Sequence, residues 1–194
     1  WEDIIKPDST INTEDKSAAT GVIKLEGKLV VILDFEKIVT DISPETGLKV
    51  SDVEDRTARD RSDSPILIAE DSPLLGKMIS ECLKKSGYTN LIMTMNGQEA
   101  WDKLTELKKK GTVRQDVHCI ITDSEMPLRD GHRLTKLCKS DDEIKKKPLI
   151  IFSSLVNEKK KKKGEQLGAD AQLTKPEIGM LVEAIDNLID KSVD

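Results

Sequence analysis

From Pro65 onward, short apolar runs alternate five times with stripes of apolar residues at helical spacing. Ile66 to Ala69, Leu91 to Met95, Val117 to Thr122, Leu149 to Phe152 and a short run near 171 to 173 read as strands. Between them, Leu75, Met78, Ile79, Cys82 and Leu83 share one helix face that ends near Gly87, and Ala100, Trp101, Leu104 and Leu107 share another. A loop with Pro127 and Gly131 leads into a short helix around 132 to 139. A lysine-rich helix runs to about Leu167 and stops at Gly168, and Ile178, Leu181, Val182, Ile185, Leu188 and Ile189 form the last stripe. Strands that are apolar on both faces, each followed by an amphipathic helix, predict an α/β fold with a five-stranded parallel, doubly wound sheet.

Upstream the pattern changes. Thr20 to Leu25 and Lys28 to Leu33 read as two strands joined through Glu26-Gly27, a hairpin-type turn. Asp34 to Thr40 can start a short helix, and the later part of Ser43 to Ser64, rich in Ser, Asp, Arg and Pro, reads as a linker. A lone hairpin is marginal in water. A chain that begins at Trp1 is therefore expected to be a fragment lacking earlier strands of its first domain. The expected division is a β-rich piece over 1–48, a linker over 49–64 and the α/β domain over 65–192.

Composition narrows the class without naming it. Of the 194 residues, 37% are hydrophobic and 35% charged, while only 3% are aromatic, so the core must be mostly aliphatic. Residues 1–62 carry 14 acidic and 9 basic side chains and the remainder 22 of each, which leaves no basic stripe for nucleic acid. The dense run Lys159 to Lys163 reads as a solvated helix face. No apolar stretch approaches the roughly 18 residues of a membrane span and no leader opens the chain, so a cytoplasmic location without direct membrane insertion is expected. Cys82, Cys119 and Cys138 lack paired spacing and read as reduced packing residues. His118 and His132, too few for a metal cluster, read as structural.

The chemistry lies where the strands stop. Ile66 to Ala69 ends in Glu70-Asp71, Cys119 to Thr122 ends in Asp123, and Ala171 to Thr174 ends in Lys175. In an open parallel sheet the carboxyl ends of the strands share one edge, so these residues are predicted to converge. Two like charges about 4 Å apart interact with roughly 4 kcal/mol at a surface-like dielectric, so Asp71 and Asp123 must bind a cation or take up protons. Mg²⁺ suits hard oxygen ligands that also meet a phosphate. Asp123 then becomes a candidate nucleophile toward phosphorus, with Lys175 and the Ser153 hydroxyl holding phosphoryl oxygens.

Glu70-Asp71, Asp123 52 residues later, Ser153 after another 30 and Lys175 after another 22 form an ordered set. With Ile68-Ala69-Glu70-Asp71-Ser72, Asp123-Ser124-Glu125-Met126-Pro127, Asp130-Gly131, Ser153-Ser154 and Lys175-Pro176, residues 65 to 192 resemble a two-component receiver domain of the flavodoxin-like, CheY-like kind. The resemblance implies strand order 2-1-3-4-5 and Asp123 as phosphoacceptor. It also implies Mg²⁺ held by Asp71, Asp123, the backbone carbonyl of Glu125 and, through a water, Glu70. Two departures stand out: Gln172 replaces the aromatic that many receivers carry three residues before the lysine, and Ser153 replaces the commoner threonine. A switch without that ring is expected to rest on Ser153, Lys175 and their loops. Leu155 and the Glu125 side chain are expected to flank the phosphate and tune its hydrolysis.

Trp1 to about Leu48, above all Ala19 to Ile38, is similar to the closing segment of a CheW-like coupling domain. A CheW-like domain ahead of a receiver is the arrangement of CheV-type chemotaxis proteins. That likeness implies an adaptor at chemoreceptor arrays that takes a phosphoryl group from the histidine kinase CheA and modulates receptor-kinase coupling, with no enzymatic role beyond its own phosphorylation and dephosphorylation. The alternatives weighed are a passive phosphate sink, an unphosphorylated scaffold, and an aspartate-nucleophile phosphatase of the haloacid dehalogenase type. The last is disfavoured because those enzymes carry an Asp-x-Asp pair near the first strand, whereas Asp123 lies on the third.

Overall fold

The computed structural model describes residues 4–5, 19–25, 27–34, 38, 61–126, 130–154, 158–175 and 178–191. The chain divides into two units. In the first, β1 (Ile4–Ile5), β2 (Ala19–Leu25) and β3 (Lys28–Leu33) form an antiparallel sheet in that order. The predicted hairpin is present, with Leu25 opposite Lys28, and Gly27 takes a φ of 78° that the tight turn requires. β1, which pairs Ile4 with Ile23, is too short to show a periodicity and was not expected. Of the helix expected over Asp34 to Thr40 only Asp34 and Ile38 are described, and the Ile38 N–H donates to the Asp34 carbonyl.

The second unit holds β4 (Ile66–Ala69), α1 (Pro73–Lys85), β5 (Leu91–Thr94), α2 (Gly97–Lys110), α3 (Val113–Asp116), β6 (Cys119–Thr122), α4 (Gly131–Ser140), β7 (Leu149–Ser153), α5 (Glu158–Gln166), β8 (Ala171–Thr174) and α6 (Ile178–Lys191). All five strands are parallel in the order β5-β4-β6-β7-β8, the doubly wound arrangement expected from the alternation. Period-two geometry divides each central strand between two cores. Ile66, Ile68, Ile121, Ile150 and Phe152 face α1 and α6, where they meet Ile79, Leu83, Leu181 and Ile185. Leu67, Ala69, Ile120, Leu149 and Ile151 face the other way, onto Leu104, Leu134 and Cys138 of α2 and α4. Trp101 packs at the margin of this second core, and all three cysteines are buried as free thiols. Burial pushes the Cys82 thiol to about 11 and those of Cys119 and Cys138 to about 12, in keeping with inert packing groups.

Local signals set the helix ends. Pro73 opens α1, where its missing N–H costs nothing. The Asn96 side chain caps α2 by accepting from the Glu99 N–H, Glu99 returns a bond to the Met95 N–H, and Gly111 closes the helix at φ 72°. The lysines described on α5, 159 and 161 to 163, are exposed, as a solvated face requires.

One contact reaches into the stretch read as linker. The Arg61 guanidinium donates to the Ser86 carbonyl and to Asp186 Oδ2, each at 2.5 Å, and lies 5.2 Å from the centre of the Tyr88 ring. The Tyr88 hydroxyl donates to the other Asp186 oxygen at 2.6 Å. Thus the segment entering β4 is tied to both α1 and α6 before the sheet begins.

Candidate functional site

Glu70, Asp123 and Lys175 of the expected cluster are positioned by backbone hydrogen bonding that continues the sheet past its strands. The Glu70 N–H donates to the Thr94 carbonyl, Asp123 N–H to the Ala69 carbonyl and Lys175 N–H to the Ser153 carbonyl. Because the parallel strands end together, these extensions bring residues from β4, β6 and β8 to one edge. Glu70, Asp123, Ser153 and Lys175 are buried and Asp71 is partly exposed.

Carboxylate oxygens of Glu70, Asp71 and Asp123 lie within 4.8 Å of one another. Opposite ligands of an octahedral magnesium ion stand about 4.2 Å apart and adjacent ones about 3 Å, so the three carboxylates fit such an ion with small adjustments. The Glu125 side chain is exposed and is not a member of this group. The expectation for Glu125 concerned its carbonyl, on the loop that Met126 anchors in the core between α2 and α4.

Lys175 is the counterweight. Its Nζ lies 2.8 Å from Glu70 Oε2 and 3.1 Å from Asp123 Oδ2, a bridge between two buried carboxylates. Burial alone pulls the ammonium's pKa down, but Glu70 and Asp123 outweigh it and leave it above its ordinary 10.5. The second Asp123 oxygen, Oδ1, accepts from the Ser124 N–H at 2.6 Å.

Two residues quoted within the sequence motifs but given no role there, Ser124 and Gly131, complete the site. The Ser124 hydroxyl is hydrogen-bonded to the Ser153 hydroxyl, so the donor expected for phosphate is already held beside Asp123. Gly131 approaches the site so closely that a Cβ there would stand 1.8 Å from the Asp123 carbonyl oxygen and 2.8 Å from its carbon. Asp130, which caps α4 by accepting from the Arg133 N–H, and the Gly131 N–H, which donates to the Ser124 carbonyl, fix that approach. The adjacent Asp130-Gly131 pair was visible in the sequence, but the close contact was not. Gly131→Ala is expected to lower stability by about 3 kcal/mol or more, because the obstructing atoms are backbone that cannot rotate away. Urea denaturation measures it, and a loss under about 1 kcal/mol would mean that α4 shifts freely.

Gln172 occupies the position where an aromatic was missed. Its amide donates to the Lys161 carbonyl at 2.7 Å, and it packs so tightly over Gly164 that a Cβ there would fall 2.3 Å from Gln172 Oε1. A polar tether to α5 thus stands in place of a ring. Leu155 and Pro176 lie outside the described residues.

Residues 66–186 match the family described as the response regulator receiver domain. Over 99% of its length the chain is 28% identical to the chemotaxis protein CheV3 of Helicobacter pylori, and over 92% it is 32% identical to CheV2 of the same organism. It spans 62% and 55% of those relatives' own lengths. Among solved structures, the receiver domain of a sensor histidine kinase from Pseudomonas aeruginosa PAO1, with a magnesium ion coordinated in its active site cleft, superposes with a TM-score of 0.56. That likeness covers 66% of this chain and 98% of the other at 22% identity, which speaks to the fold.

Proposed function

This chain belongs to the response regulator receiver domain family, and from that premise we propose that it is the phosphoaccepting part of a CheV-type chemotaxis adaptor, phosphorylated on Asp123. The observation that carries the reading is the Lys175 bridge: one buried ammonium between Glu70 and Asp123, with a third carboxylate, Asp71, beside them.

In the proposed reaction an Asp123 carboxylate oxygen forms a bond to phosphorus while the bond from phosphorus to the donor's leaving atom breaks. That atom is nitrogen in a phosphohistidine and oxygen in acetyl phosphate, and it leaves with the electron pair. Lys175 is placed to keep its charge on Asp123 before transfer and to give it to a phosphoryl oxygen afterwards. Ser153, held by Ser124, has a hydroxyl ready to rotate onto another. Asp71, Asp123, the Glu125 carbonyl and, through a water, Glu70 would hold Mg²⁺, whose part is to neutralise charge on the phosphoryl oxygens.

The match to CheV proteins over nearly the whole chain supports a wider assignment. Residues 1–48 are read as the end of a CheW-like coupling domain, 49–64 as the linker and 65–192 as the receiver. The phosphodonor is the kinase CheA, the location is the cytoplasmic face of chemoreceptor arrays, and phosphorylation changes the coupling of receptors to kinase. Among the described residues no helix is long and apolar enough to cross a membrane.

Incubation with acetyl phosphate and magnesium tests the reading. Intact mass is expected to show one phosphoryl group per chain, and no uptake from either acetyl phosphate or phosphorylated CheA would overturn it. Magnesium itself is expected to raise the melting temperature, since a ligand of the folded state at a hundred times its Kd adds about 2.7 kcal/mol. Asp71→Ala removes that rise, whereas an equal rise in parent and variant would put the ion elsewhere.

A further inference from the structure

At the edge of the sheet opposite Asp123, where the strands begin, an open cavity of about 600 Å³ is bounded by α3, the residues before β6 and β7, and the end of α6. Its volume falls in the roughly 300–1,000 Å³ range of small-molecule sites. Arg114, Lys146 and Lys147 bring three basic side chains to its wall, with His118 beside them and Glu143 the one carboxylate of the lining residues. Ile189, half-buried, supplies most of the apolar side, with the edge of the buried Val113 beneath it.

What distinguishes these cations is how their neighbours are treated. Lys108, Lys110 and Lys145 each pair with a carboxylate, on Asp141, Glu106 and Asp142. Among the described residues Arg114, Lys146 and Lys147 have no such ion pair. Lys147 does not extend into water either: it is partly buried, and its Nζ donates to the Arg114 carbonyl at 3.0 Å. Burial first and the Arg114 charge second pull its pKa down. A cation held against burial and like charge leaves an unmet demand for an anion. Arginine and lysine together match phosphate, the first through its planar fork and the second as a point charge.

We propose that this cavity binds a phosphate-bearing small molecule of about mononucleotide size, its phosphates on Arg114, Lys146 and Lys147 and its apolar body against Val113 and Ile189. The site is separate from the acidic cluster and requires no metal.

The two histidines are built-in reporters, since His118 lines the cavity and His132 lies near the phosphoacceptor. Burial first and the Lys147 charge second hold the His118 imidazole below its ordinary value, Asp63 acts in the opposite sense, and Arg114, Lys146 and Glu143 share the cavity wall with it. In the full chain with EDTA present, titration with pyrophosphate and with ADP is expected to shift the His118 imidazole signals saturably and to raise its pKa, leaving His132 in place. ADP should saturate first, because it alone uses the apolar side. Arg114→Gln and the exposed Lys146→Gln are each expected to weaken binding about tenfold. Shifts no larger than those from sodium chloride at equal ionic strength, shifts at His132 instead, or unchanged affinity in both variants would overturn the proposal. Equal affinity for pyrophosphate and ADP would overturn the assignment of the apolar side.

Discussion

Asp123→Asn abolishes phosphoryl uptake from acetyl phosphate and from phosphorylated CheA, read as the disappearance of the added mass while the circular dichroism spectrum is kept. The carboxylate is held on both of its oxygens, Oδ1 by the Ser124 N–H and Oδ2 by Lys175. Those contacts orient it and stabilise its charge. An amide of the same shape keeps the packing but lacks the anionic oxygen that must bond to phosphorus, so the reaction loses its nucleophile and does not merely slow. Glu70 and Asp71 follow β4 rather than β6, so neither stands where the Asp123 carboxylate does. Stoichiometric labelling of the variant would move the acceptor to another residue. Labelling of neither protein would count against the whole reading. Because the cavity at the opposite edge is probed by anion binding in EDTA, it stands or falls independently of this outcome.

Lys175→Ala is expected to lower the free energy of unfolding in EDTA by about 3–5 kcal/mol, since removing one partner of a buried ion pair strands the other. Here two buried carboxylates are stranded and Asp71 adds a third like charge nearby. The melting temperature falls by on the order of 10 °C. Magnesium restores part of the loss in the variant, because the cation that remains is then the only one facing three carboxylates. A loss below about 1 kcal/mol, the range of solvent-exposed pairs, would show that water screens the cluster. The pH dependence follows from the raised pKa of the ammonium. A cationic group whose pKa is higher in the folded state contributes fully below its unfolded value of 10.5 and loses that contribution as pH rises through the folded value. The difference between parent and variant is therefore flat through neutral pH, as far as Lys175 is concerned, and narrows only above about 10.5.

Much of this was legible in the residues. Apolar runs closed on both faces marked β4, β6 and β7, because a strand buried between two helical layers has no polar side to show. The ends of β4, β6 and β8 were marked by Glu70-Asp71, Asp123 and Lys175, and parallel strands must finish at a common edge, so their meeting followed from order along the chain. Short elements escaped for the same reason that long ones did not. β1, with two residues, and α3, with four, complete no period. Val117 and His118 were read into the third strand and lie outside it, since apolar character does not tell a strand from its approach.

The order of the longer elements, the two-faced sheet and the identity of the charged groups at its edge follow from the chain alone, because periodicity and strand termini are local properties. Tertiary structure alone decided which of those groups touch. That Lys175 bridges Glu70 and Asp123, that Ser124 holds Ser153 and that Arg61 binds Asp186 depend on distances between segments tens of residues apart, and that Gly131 leaves no room for a methyl group depends on how the loop after β6 folds back. Arg114, Lys146 and Lys147 belong to the same class: in the sequence they are three basic residues among 31, and only folding brings them to one cavity with Glu143 as the single carboxylate of its described lining.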